Sequence, residues 1–138
     1  MIATPADLIK VARTYVKTPF HHQGRLPGIG LDCIGVIVCA AAACGLLHCD
    51  VAAYPLRPNG QLLENLNVQL VAVPNRMAGD VLLMSFGGEP HHVALFTGET
   101  IIHAYITVKR CIEQPMAELW EKRVRGVFRF KEFVCLTQ

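Results

Sequence analysis

The spacing of apolar residues changes character twice along this chain. Near the amino end, Leu8, Val11, Ala12 and Tyr15 recur at intervals of three and four, the period of a helix that buries one face. Thr4 is placed to cap this helix and Pro5 to occupy its first position. The pattern stops near Lys17-Thr18-Pro19. Residues 20–31, FHHQGRLPGIGL, hold three glycines and a proline and read as a loop. An apolar run of about 15 residues follows, from Cys33 to Leu47. With Asp32 as its cap, the run predicts a buried helix from Cys33 to Leu46. A membrane span needs about 20 residues. Segment 50–60 reads as irregular and 61–70 as a short amphipathic helix.

From Gly79 the texture becomes β-type. VLLMSF (81–86), HVALFT (92–97), TIIHAYI (100–106) and VRGVFRF (124–130) are short runs separated by turn residues. Residues 110–113 extend the sheet, and 115–120 read as a short helix. Helices first and antiparallel strands second predict an α+β domain, one unit over residues 1–138.

Composition narrows the function classes. Apolar residues make up 52% of the 138 and charged residues 17%, enough for a core and far from disorder. The net charge is +2 and the basic residues are scattered, with a mild cluster at Lys122, Arg123 and Arg125. Nucleic acid is therefore not an expected partner, nor is a membrane. The amino terminus lacks an uninterrupted apolar stretch, so no secretory signal is expected and synthesis in a cytoplasm is. The six cysteines form no C-x-x-C pair, and Cys44, His48 and Cys49 match no common zinc spacing. Reduced thiols are expected, with no metal and no cofactor.

One cysteine stands apart. Cys33 is the first residue after the Asp32 cap, where unpaired N–H groups and the helix dipole favour a thiolate. This predicts selective labelling of Cys33 under mildly acid conditions, ahead of Cys39 and Cys44. A nucleophilic cysteine needs a base, usually histidine. HHVALFTGETIIHAY reads as a hairpin turning at Gly98-Glu99. Opposed positions then sum to 197, so Ala94 faces His103 and His92 lies diagonally from it on the same face. His91 points to the other face; a three-residue loop would exchange the two. Each residue alone has a plain reading: a core thiol, a helix cap, a structural histidine.

Together these pieces resemble the NlpC/P60 cysteine peptidases. The resemblance rests on Thr18-Pro19-Phe20-His21-His22-Gln23-Gly24, Asp32-Cys33-Ile34-Gly35, Gly79-Asp80-Val81, His92-Val93-Ala94 and Ile102-His103-Ala104, five motifs in register over roughly residues 8–130. It implies a papain-like core, with Cys33 as nucleophile, His92 as general base and acid, and His103 as the orienting residue. It also implies that Asp32 contacts a substrate amine as well as capping the helix. The implied substrate is the peptide stem of the bacterial cell wall, cut at bonds involving D-glutamate and diaminopimelate. Phe20 stands where the family usually has tyrosine, leaving His22 or Gln23 to supply a donor near the oxyanion or substrate. Ile34 replaces a usual serine. The wording HHQGRLPGIGLDC is similar to a branch found in phage and prophage tails, which implies tail proteins as partners and action at the wall. The same core serves other amidases, acyltransferases and antibacterial toxins, and a tail-assembly role is a third reading.

Overall fold

A computed structural model describes residues 3–46, 50, 51, 54 and 60–134 of the chain. Most of the segment read as irregular, and His48 and Cys49, lie outside the described residues. Five helices are described: α1 (Pro5–Arg13), α2 (Cys33–Ala43), α3 (Gln61–Gln69), α4 (Glu118–Glu121) and α5 (Lys131–Val134). The strands are β1 (Arg25–Leu26), β2 (Gly30–Leu31), β3 (Val71–Ala72), β4 (Val81–Met84), β5 (His92–Phe96), β6 (Thr100–Tyr105), β7 (Arg110–Pro115) and β8 (Val124–Arg129). β1 and β2 form a small ribbon, and the other six form one antiparallel sheet in the order β3-β8-β4-β5-β6-β7. This is the α+β architecture expected.

The helix boundaries have local causes. In α1, Thr4 Oγ1 accepts from the Asp7 N–H at 3.2 Å and Asp7 accepts from the Thr4 N–H at 2.9 Å, a reciprocal cap. α2 ends three residues before the expected Leu46. There Gly45 adopts φ +73°, and the Leu46 N–H donates to the Ala41 carbonyl at 2.8 Å. A glycine in the left-handed region ends a helix at little steric cost.

The apolar run of α2 is buried through Val36, Ile37, Ala40 and Ala41. It packs with Leu8 and Ala12 of α1 against Val81, Leu83, Val93, Leu95, Ile102 and Ala104 on one face of the sheet. The opposite face carries a second cluster, Leu82, Met84, Ala94, Phe96, Ile101 and Trp120. Because β4 and β5 are covered on both faces, they read as continuous apolar runs rather than as alternation.

Three short pieces escaped the sequence reading. The loop 20–31 contains the ribbon β1–β2, Val71–Ala72 adds the edge strand β3, and α5 closes the described chain. Two-residue strands are too short to show a period. Segment 17–20 is held to the β7 edge: Lys17 N–H donates to the Cys111 carbonyl, Cys111 N–H to Thr18, and Phe20 N–H to Lys109, each at 2.8 Å. The glycine-rich loop is thereby tied to the sheet on one side.

Arg129 on β8 grips Asp80, just ahead of β4. Its Nε donates to Asp80 Oδ1 at 2.8 Å and its Nη2 to Oδ2 at 2.9 Å, with both side chains buried. Removing one partner of such a pair strands a buried charge, which costs about 3–5 kcal/mol. Asp80→Ala is therefore expected to lower unfolding stability by about that amount in urea titrations; a change under about 1 kcal/mol would contradict this account.

Candidate active site

The site begins at the amino end of α2. Asp32 is extended, and its Oδ1 accepts from the Gly35 N–H at 2.8 Å. The turn leaves Cys33 half-buried at the first helical position. Gly35 is required by a close approach. A β-carbon there would meet the Gly24 carbonyl oxygen at 2.2 Å and Arg25 Nη1 at 3.1 Å. The glycine-rich loop thus lies directly on the first turn of α2.

The sheet brings the histidines. β5 and β6 pair at Leu95↔Ile102 and Phe96↔Ile101, the register in which opposed positions sum to 197. His92 and His103 accordingly share a face, and His92 Nε2 lies 2.6 Å from His103 Nδ1. His103 Nε2 in turn lies 2.9 Å from Gln114 Oε1, on β7. The amide oxygen only accepts, so His103 carries its proton on Nε2 and its Nδ1 is an acceptor. His92 must then donate from Nε2, which leaves His92 Nδ1 unprotonated. A chain of three side chains thereby leaves Nδ1 as the unprotonated nitrogen of His92.

An aromatic box surrounds this chain. Tyr105 stacks on His103 at 5.6 Å, Trp120 meets His103 edge-on at 4.8 Å, and Phe86 lies 5.2 Å from His92. Arg123 covers the outer faces of Phe86 and Trp120 at 4.6 and 4.5 Å. Burial is the main reason that His92 is held well below its ordinary pKa, with His103, His91 and Arg123 adding to it. Burial likewise lowers His103 to about 4, against the opposing effect of the hydrogen bond it donates to Gln114. Both rings are neutral at neutral pH.

Cys33 and His92 line one cleft of about 380 Å³, together with Phe20, His22, Asp32 and Tyr105. His103 stands behind His92. Of the two donors considered in place of the missing phenol, His22 Nε2 and Gln23 Nε2 both donate to the Tyr54 carbonyl at 3.0 Å. His91 is partly buried at the cleft rim, with Nδ1 3.0 Å from the Glu89 carbonyl. Among the described residues no group of three or more His, Cys, Asp or Glu could hold a metal ion.

The NlpC/P60 family model matches residues 17–129. The chain belongs to the NlpC/P60 family. No curated relative matches it. Among solved structures it is similar to an NlpC/P60 family protein from Bacillus cereus ATCC 10987, with TM-score 0.71 and 20% identity over 94% of this chain and 41% of that one. It is also similar to the NlpC/P60 domain of the peptidoglycan hydrolase SagA, with TM-score 0.66 and 20% identity over 91% and 98%. A third is the peptidoglycan hydrolase RipB of Mycobacterium tuberculosis, with TM-score 0.68 and 18% identity over 91% and 64%. The chain spans about two fifths of the Bacillus cereus protein. At these identities the likeness carries the fold.

Within this NlpC/P60 domain the structure corrects one expectation. The helix end was expected to make Cys33 acidic. Instead burial, followed by the charge of Asp32, pushes its thiol up to about 12. The N–H groups of Val93 and Ile34 act in the other direction and do not overcome it. The dipole is weak beside the desolvation of an anion under a packed sheet. The cleft thus holds a neutral thiol and a neutral imidazole.

The sequence reading also missed Gln114, Arg25, Tyr54 and Tyr105. Gln114 follows from the β6–β7 register, in which it pairs with Ile101, diagonal to His103. That register depends on a turn in which Lys109 takes φ +63°, which no glycine announces.

Two outcomes follow. Iodoacetamide mapping at pH 5.5 should label Cys33 no faster than the half-buried Cys39; preferential labelling of Cys33 would restore the acidic thiol. By NMR the His103 ring should titrate near 4. Gln114→Glu should raise that value, because a carboxylate at this position stabilises the imidazolium. A His103 titration near 6.5 in the wild type, or no rise in the variant, would remove the buried chain.

Proposed function

We propose that this domain is a cysteine endopeptidase that hydrolyses amide bonds in the stem peptides of bacterial peptidoglycan. The observation that carries this reading is the cleft shared by Cys33 and His92, with His103 and Gln114 selecting His92 Nδ1 as base. Two of the similar structures are named peptidoglycan hydrolases, which favours this substrate class.

The chemistry follows from the protonation states. Cys33 Sγ attacks the amide carbon while His92 Nδ1 takes the thiol proton. The carbonyl π pair moves onto oxygen, then returns as the C–N bond breaks. The imidazolium gives its proton to the leaving amine, and a thioester to Cys33 remains. Water then attacks the thioester with His92 as base. The peptide carboxylate departs and the thiol is restored. His103 stays neutral and aligned throughout, because its own Nε2–H is held by Gln114.

Carriage of this activity on a phage or prophage tail belongs to the same proposal and rests on the loop wording HHQGRLPGIGLDC. It requires the chain to be present in purified tail particles. For the chemistry, purified wall is digested with wild type and with Cys33→Ala. Loss of soluble stem-peptide fragments by at least 10³-fold is expected, on the order seen when a nucleophile is removed. Undiminished release by a folded Cys33→Ala protein would overturn the assignment.

A further inference from the structure

Arg123 stands at the corner between α4 and β8, and the sheet is bent to put it there. Met84 pairs with Val124 but Leu83 pairs with Gly126, so Arg125 is an extra residue in β8. Such a bulge bends its strand and re-aims nearby side chains. Arg123 thereby falls beside Ser85, whose N–H donates to the Arg123 carbonyl at 2.9 Å, and its own N–H donates to the Trp120 carbonyl at 3.0 Å. The half-buried guanidinium lies over two rings, Phe86 at 4.6 Å and Trp120 at 4.5 Å. Phe86 is the ring against His92, and Trp120 is the ring edge-on to His103. Among the described residues Arg123 has no carboxylate partner; Glu118 and Glu121 of α4 pair with Lys122 and Arg76. An unneutralised cation thus backs the wall of the histidine pair.

A second positive charge in this pair would reverse its hydrogen bonds. His103 Nε2 already donates to Gln114, so an added proton enters at Nδ1. Nδ1 then donates, and His92 Nε2 must accept across the 2.6 Å contact. The His92 proton moves to Nδ1, the nitrogen that takes the thiol proton in the proposed reaction. Burial is the largest reason that both rings resist a proton, and the charge of Arg123 acts in the same direction on both. The other titratable groups around the pair are His91 on β5, Tyr105 on β6, and Cys33 and Asp32 at the start of α2. On β7 the contact is the uncharged Gln114.

We propose that Arg123 is a positioning residue whose charge, held across Phe86 and Trp120, keeps the proton order of the histidine pair from reversing in acid. It touches neither the thiol nor the bond to be cut. Its consequence for activity rests on the peptidase reading above, and it sets the acid edge of that activity.

The test follows the His103 ring by NMR and fragment release from purified wall, both against pH and on the full chain. The His103 midpoint, near 4 in the wild type, should rise by at least about half a unit in Arg123→Met, because a facing cation is gone. Arg123→Lys, which keeps the charge, should recover at least half of that rise. The acid edge of fragment release should move up with the midpoint. A merely structural role would lower release at every pH and leave both midpoints in place. Arg123→Gln is read in the same way if Arg123→Met does not fold. A midpoint unmoved in the folded variant, or raised equally in Arg123→Lys, overturns the proposal. So does an acid edge that stays in place while the His103 midpoint rises. If the wild type releases no fragments at any pH, the peptidase reading fails, and the NMR midpoints alone decide the role of Arg123.

Discussion

The carboxylate of Asp32 is the interaction on which the rest of the site depends. It caps α2, receives the backbone of the glycine-rich loop through the Gln23 N–H, and holds Arg25 and Tyr54. One buried anion thus joins the helix that carries the thiol to the loop that walls the cleft. Its burial is tolerable because every lone pair is filled. Gly35 belongs to this constraint, since its missing β-carbon is what lets Gly24 and Arg25 close over the helix end.

A second consequence is electrical. Burial raises Cys33, lowers His92 and lowers His103. All three shifts favour the neutral form, so the resting site avoids an ion pair under the sheet. The box of Phe86, Tyr105 and Trp120 enforces this, and Arg123 on its outer faces adds to it. In the proposed reaction, reactivity then depends on where the hydrogen bonds have placed the protons. The order Gln114, His103, His92 leaves a single unprotonated nitrogen on His92.

Much of this was legible along the chain because it is local. The α1 cap is written in Thr4, Pro5 and Asp7, within one turn. The hairpin register follows from Gly98-Glu99 and the two-residue period of strands, and it alone puts His92 and His103 on one face. The ribbon β1–β2 and the strand β3 were not legible, since two residues show no alternation. Gln114 was hidden for a different reason. Its place beside His103 depends on the β6–β7 turn, where Lys109 takes a left-handed conformation without a glycine to mark it.

The sequence by itself determined the elements, the hairpin register, and the position of one cysteine at a helix start. Those properties follow from spacing, and spacing is a property of neighbours in the chain. Tertiary structure alone decided the charge state of the thiol, the proton order along Gln114, His103 and His92, and the bonding of Asp32 to Arg25 and Tyr54. These depend on desolvation and on partners brought from distant segments. Tyr54 lies 22 residues from Asp32 and Gln114 lies 11 from His103. The helix-end argument for an acidic thiol failed on this distinction: the dipole is visible in the sequence, and the sheet that buries the sulfur is not.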